Sequence, residues 1–142
     1  MCGFFFSELN DGVSSASLIK HRGPDHYKIY SDDFITLYNY RLKIVDQSNK
    51  NTHPIFSKSG NTLILFNGEI YNYLELYKKY SLKSKFKSES HIIAEFFDKF
   101  GTSKLNELNG MFSLIVYNLK KREVVLYIIK KHFNIGILNS VC

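Results

Sequence analysis

The second residue of this 142-residue chain is the one best equipped for chemistry. Removal of Met1 would leave Cys2 carrying both a thiol and a free α-amine. An α-amine ordinarily titrates near 7.7–8.0, so roughly a tenth or more of it is neutral at pH 7. It could then act as base, directly or through one water, for a thiol whose ordinary pKa is about 8.5. The combination is that of an N-terminal nucleophile. From position alone, the plainer reading of Cys2 is a small buried residue in a first strand.

Three other places could serve such a nucleophile. Asn67-Gly68 follows the apolar run over residues 62–66. There an Asn amide and an unshielded Gly N–H would supply two donors for an oxyanion. An ordinary Asn-Gly turn explains the same pair. Arg41 ends an apolar stretch and could grip a carboxylate through two parallel hydrogen bonds, or could be a surface Arg. Glu69 and Glu89 could receive an ammonium group. Glu89 also fits the first turn of a helix, where a carboxylate complements the dipole. The five histidines offer little: His21 and His26 flank Arg22-Gly23-Pro24-Asp25 without further ligands at metal spacing, and His53, His91 and His132 are isolated. Cys2 and Cys142 form no metal-binding or redox pair motif, and no Gly-rich phosphate loop or Ser-His-Asp arrangement is present.

These residues need elements to position them. Residues 3–7 read as a first strand, and residues 15–20 as a short helix ending before Gly23-Pro24. Residues 26–30 and 34–40 read as strands around the turn-forming Ser31-Asp32-Asp33. A polar loop is expected over 47–59. The continuous apolar run 62–66 reads as a strand buried on both faces that stops at Asn67-Gly68. Residues 74–80 look helical. Residues 89–100 form a clearer helix, with Ile92, Ile93, Phe96, Phe97 and Phe100 on one face and Gly101 at its end. Residues 111–117 and 124–129 read as a hairpin, and the tail after it has room for one strand. The class expected from these elements is α+β with mainly antiparallel strands.

Composition excludes several alternatives. With 44% hydrophobic and 15% aromatic residues, the chain is not a disordered polymer. No apolar run approaches the roughly 18–20 residues of a spanning helix, and the N-terminus lacks the basic and apolar regions of a secretion signal. A soluble cytoplasmic domain without a membrane partner is the expectation. The net charge of +6 resides mostly on scattered Lys, with three Arg, which fits a solvated surface better than nucleic-acid binding.

Met1-Cys2-Gly3, His21-Arg22-Gly23-Pro24-Asp25, Arg41-Leu42-Lys43-Ile44-Val45-Asp46, Phe66-Asn67-Gly68-Glu69-Ile70-Tyr71-Asn72-Tyr73 and Leu108-Asn109-Gly110-Met111-Phe112 occur in this order. Together they resemble the N-terminal glutaminase domain of glutamine-dependent asparagine synthetases, a class II glutamine amidotransferase domain. The resemblance runs from residue 1 to about 129. It implies the αββα sandwich of N-terminal-nucleophile hydrolases and hydrolysis of L-glutamine to glutamate and ammonia. By motif match, Cys2 is the nucleophile, and Asn67 and Gly68 hold the oxyanion. Arg41 binds the glutamine α-carboxylate with help from the backbone of Ile44 and Val45, Glu69 contacts the substrate, and Glu89 meets the α-ammonium. The glutaminase reaction needs no cofactor; ATP and Mg belong to the synthetase domain.

The sequence also departs from that pattern. Glu89 stands where the family has Asp, moving the charge by about 1 Å, a displacement that can cost around 100-fold in rate. Residues 130–138 keep only the apolar framework of the family's segment after the hairpin. The chain is therefore expected to be a single, partial amidotransferase domain over 1–142, truncated, with a divergent tail over 130–142 and no synthetase domain. A separately encoded synthetase domain or subunit would be its partner. A catalytically inactive remnant, or a subunit needing a partner, is the alternative, and a basic nucleic-acid-binding module is a third reading resting on charge alone.

Overall fold

The described residues, 3–8, 17–41, 53–130 and 133–140 of a computed structural model, form an α+β fold built on two antiparallel sheets. They divide into two compact units, Met1–Pro54 and Ile55–Cys142. In the first unit, β1 (Gly3–Glu8), β2 (His26–Ser31) and β3 (Ile35–Arg41) make a sheet of order β1-β3-β2. β3 takes the centre because it is apolar enough for both faces. Ile35, Leu37, Tyr38 and even Thr36 and Asn39 are buried. The β2–β3 turn uses the polar residues that the sequence places there. Asp32 Oδ1 accepts the Phe34 and Ile35 N–H groups, each at 2.9 Å. Tyr30 donates its hydroxyl to Asp32 Oδ2 at 2.9 Å, and its phenol is pushed up to about 12 by burial and by that carboxylate.

The second unit holds β4 (Ile55–Phe56), β5 (Thr62–Ile70), β6 (Gly110–Asn118), β7 (Glu123–Lys130) and β8 (Phe133–Ser140), paired in that order. Helices α1 (Tyr73–Lys79) and α2 (Glu89–Phe100) connect β5 to β6, with a short 3-10 helix, Leu105–Glu107, before β6. α2 forms because its apolar residues recur at helical spacing, and Gly101, at φ +56°, ends it while donating its N–H to Phe97 O at 2.8 Å. Its face meets one side of the sheet. Ile92, Ile93, Phe96 and Phe97 join Ile64, Phe66, Ile70, Phe112, Leu114, Val116 and Val125 in one core.

A single carboxylate ties down the ends of this helical layer. Glu107 accepts Tyr80 Oη at 2.6 Å, Lys79 Nζ at 2.9 Å and Lys104 Nζ at 3.0 Å. These donors, Tyr80 first, hold Glu107 down at about 2. Its contribution to stability is therefore complete above the ordinary carboxylate value and is lost as pH falls towards 2.

Three expectations from sequence need correction. The apolar strand does not stop at Asn67-Gly68 but runs on to Ile70, paired throughout with β6. Pairing with a complementary strand overrides the low strand propensity of Asn and Gly. The short helix expected over 15–20 is a 3-10 helix, Ser17–Arg22, that runs on to the residue before Gly23, and residues 15 and 16 lie outside the described residues. The polar loop over 47–59 contains β4, whose Ile55 pairs with Ile64. The other strands and both long helices fall within two residues of their expected bounds.

Phe97 is 1% exposed and meets Phe96 edge-on in the core. Phe97→Ala is expected to remove about 3–5 kcal/mol of stability, read by urea denaturation. A loss below about 1 kcal/mol would show that α2 does not carry the core.

Candidate active site

At the end of β5 the two strands approach more closely than side chains allow. Gly68 pairs with Phe112 at φ +124°, and a Cβ on it would lie 2.1 Å from Met111 O. Gly110 repeats the situation from the other strand, where a Cβ would lie 2.1 Å from Glu69 O. Neither position accepts a side chain without moving backbone. The result is an exposed Gly68 backbone beside a half-buried Asn67, in a frame fixed by two close backbone approaches, one from each strand. This is not an Asn-Gly turn; it is a distorted strand end.

The turn after β5 is braced from the same side. Asn72 does not use its side chain to cap α1. Its Nδ2 donates to Glu107 O at 2.8 Å, and its Oδ1 accepts the Asn109 N–H at 3.0 Å. Tyr71 N–H reaches Asn109 O at 2.7 Å. Thus the Glu107–Gly110 segment holds the end of β5 and the turn after it, Glu69-Ile70-Tyr71-Asn72, in place. The sequence showed both strings without showing that one clamps the other; the signal was two Asn-Gly pairs in strings that come to face each other.

Glu69 and Glu89 gather at the same end. Glu89 opens α2, and its Oε1 accepts the Ile70 N–H, so the carboxylate staples the helix start to the strand. Burial pushes the Glu89 carboxyl above its ordinary value; the Ile70 N–H opposes this, and the charge of Glu69 adds to it. A cation placed between these carboxylates would relieve both desolvation and repulsion. The arrangement suits an ammonium group.

Arg41 stands in the first unit, at the end of β3 opposite His26, and is buried to 8% exposure. Its strand is packed against the Arg22-Gly23-Pro24-Asp25 string. A Cβ on Gly23 would lie 2.2 Å from the Tyr40 carbonyl carbon, and the Asp25 N–H donates to Arg41 O at 3.2 Å. These contacts give the string a physical role that its sequence did not reveal. Gly3, the covalent neighbour of Cys2, pairs with Tyr40, the residue before Arg41. Cys2, Ile44 and Val45 themselves lie outside the described residues. Asn67, Gly68, Glu69 and Glu89 are brought together in the second unit, and Arg41 is placed by the first.

Among the described residues, no group of three His, Cys, Asp or Glu side chains is placed to hold a metal ion. Among the described residues, no helix is long and apolar enough to cross a membrane.

The sequence model of the glutamine amidotransferase domain family matches residues 1–132. The chain is 34% identical over 106 residues to asparagine synthetase B (glutamine-hydrolyzing) of Escherichia coli strain K12, covering 73% of this chain and 19% of that protein. It is also 34% identical over 105 residues to asparagine synthetase (glutamine-hydrolyzing) of Brassica oleracea, covering 72% of this chain and 17% of that protein. A third relative, asparagine synthetase (glutamine-hydrolyzing) 2 of Bacillus subtilis strain 168, is 32% identical over 114 residues, with 78% and 15% covered. The chain spans less than a quarter of the length of these relatives.

Two outcomes are expected. Gly68→Ala should cost about 3 kcal/mol or more, because strain at positive φ adds to a backbone clash, as read by denaturant unfolding. A neutral substitution would mean that the strands are not locked there. Glu89→Gln should leave stability unchanged at pH 4 and raise it relative to the parent at pH 7. The raised carboxyl of the parent gives up stability as pH climbs through its folded value, and Gln keeps an acceptor for Ile70. Parallel pH profiles for the two proteins would refute this.

Proposed function

Because this chain belongs to the glutamine amidotransferase domain family, we propose that it hydrolyses L-glutamine to glutamate and ammonia, with Cys2 as nucleophile. The observation that carries this reading is the convergence of Asn67-Gly68 with Glu69 and Glu89 at one end of β5, held by the close approach of Gly68 to Met111-Phe112 and of Gly110 to Glu69-Ile70. A reactive carbonyl there would meet oxyanion donors beside an ammonium site.

In this reading the α-amine of Cys2, freed by loss of Met1, takes the thiol proton. The thiolate then adds to the side-chain amide carbon of glutamine. Negative charge developing on the amide oxygen is met by Asn67 Nδ2 and the Gly68 N–H, donors fixed before the reaction begins. Collapse of the tetrahedral adduct breaks the C–N bond, and the protonated amine of Cys2 delivers its proton to the leaving nitrogen. Water then hydrolyses the thioester, releasing glutamate and restoring the thiol. Arg41 holds the substrate α-carboxylate, with backbone groups of Ile44 and Val45, while Glu69 and Glu89 receive its α-ammonium.

The two antiparallel sheets are assigned, by family, to the inner layers of an αββα sandwich. The ammonia acceptor is a synthetase domain or subunit, in keeping with the names of the relatives, and ATP and Mg would act there. One observation favours an inactive remnant instead. Glu89 is already engaged by the Ile70 N–H and carries one more methylene than the family's Asp.

Glutamate release from L-glutamine by the Met1-processed chain, measured beside Cys2→Ala, tests the proposal. Release that vanishes in Cys2→Ala is the expected result. Release that survives it, or none from a folded and processed sample, would overturn the catalytic reading. Arg41→Ala should raise KM for glutamine far more than it lowers kcat, and an unchanged KM would exclude the carboxylate clamp.

A further inference from the structure

The face of the second unit's sheet that turns away from α2 changes character along its strands. Ile64, Phe66, Leu114 and Val116 join the core under α2. Leu63, Leu65 and Asn67 therefore lie on the opposite face, across from Tyr117, Ile115 and Ser113 in turn. Leu63, Leu65, Ile115 and Tyr117 are at most 3% exposed. Asn67 and Ser113 are half-buried, and the next pair, Glu69 and Met111, is exposed. A buried apolar face thus opens into a polar mouth where the candidate oxyanion donors stand.

The phase of the hydrogen-bond ladder fixes how Asn67 and Ser113 meet. At one end of the strand pair Leu119 N–H donates to Asn61 O at 2.9 Å, and at the other Tyr71 N–H donates to Asn109 O at 2.7 Å. Counted inwards from either end, every second pair exchanges backbone hydrogen bonds, and Asn67 with Ser113 is one of them. Such partners have Cα atoms about 5.5 Å apart and side chains on one face. Gly68, facing Phe112, falls in the other set, whose N–H groups turn away from the partner strand, as that of Ile70 does to reach Glu89.

Ser113 stands out in its strand. It is the one non-aromatic polar residue between Gly110 and Asn118, among apolar neighbours that suit a strand better. Neither its hydroxyl nor the Asn67 amide is bonded to another described residue. The two therefore present a donor and an acceptor side by side. A carboxamide carries the complementary pair, an oxygen that accepts from Asn67 Nδ2 and an NH₂ that donates to Ser113 Oγ. An ester has no N–H to give, and it leaves the hydroxyl without its donor.

We propose that Ser113 is a specificity-determining residue of this site. Its Oγ accepts a hydrogen bond from the NH₂ of the substrate's side-chain carboxamide while Asn67 Nδ2 holds the oxygen. The assignment rests on the glutaminase reading and deepens it, because it gives the site a reason to prefer an amide to the corresponding ester.

The test is steady-state release of glutamate from L-glutamine and from L-glutamate γ-methyl ester, by the Met1-processed chain and by Ser113→Ala. Ser113→Ala should lower kcat/KM for L-glutamine about five- to tenfold, the range of one neutral hydrogen bond, and change that for the ester less than twofold. Ser113→Thr keeps the hydroxyl and suits a strand, and it should bring L-glutamine back to within about twofold of the parent. An equal fall for both substrates, or none for either, would overturn the assignment. A parent that releases no glutamate would sink the glutaminase reading by itself, and Ser113 is then judged by binding. In a titration of the ¹⁵N-labelled chain with L-glutamine, saturable shifts at the Asn67 side-chain amide should weaken at least fivefold in Ser113→Ala. Shifts that are absent, or indifferent to that change, would overturn the assignment there as well.

Discussion

Two backbones pressed together without room for a Cβ set the geometry on which the rest of the second unit depends. Gly68 lies against Met111 and Phe112, and Gly110 lies against Glu69 and Ile70, so the contact is reciprocal. Ordinary cross-strand spacing leaves space for side chains on either face. Here that space is given up, and in exchange the Gly68 backbone is exposed in a conformation other residues rarely adopt. The large buried core around α2 keeps the strands from separating to relieve the crowding.

Everything chemical at that end follows from where β5 is forced to stop. Ile70 turns its N–H to Glu89, which fixes the start of α2 and sets two carboxylates near one another at a cost in solvation. Asn72 spends both ends of its amide on the segment preceding β6 rather than on its own helix. In the first unit the same logic appears once more, with Gly23 lying on the backbone of Tyr40 and Arg41. Glycines here are points of contact between segments distant in sequence. They are not loose joints.

Most of the architecture was legible in the sequence because periodicity and burial agree in it. Residues 89–100 carry an apolar stripe of helical spacing, and the hairpin strands are unmistakable runs of β-branched and aromatic residues. The extension of β5 through Asn67-Gly68 was not legible, since local propensity argues for a turn and only the partner strand argues otherwise. The candidate site shows the same division. Residue types named Asn67, Gly68, Glu69, Glu89 and Arg41, but no local pattern could reveal that Asn109 and Gly110 brace the strand end from Glu69 to Asn72 or that Gly23 packs on the strand of Arg41. Such information resides in contacts between strings 17 to 41 residues apart, which a single sequence does not encode as spacing.

The cluster at Glu107 has a consequence for motion. Tyr80 at the end of α1, Lys104 after α2 and the main chain just before β6 all meet at this residue, whose carbonyl also holds Asn72. Loss of this one carboxylate would therefore loosen all of these segments at once. Backbone amides at the end of α1, in the 3-10 helix and at the turn after β5 are thus tied to a common partner, whose removal would lower their protection together. The same residue thereby links the ends of the helices to the turn that follows β5, beside Glu69.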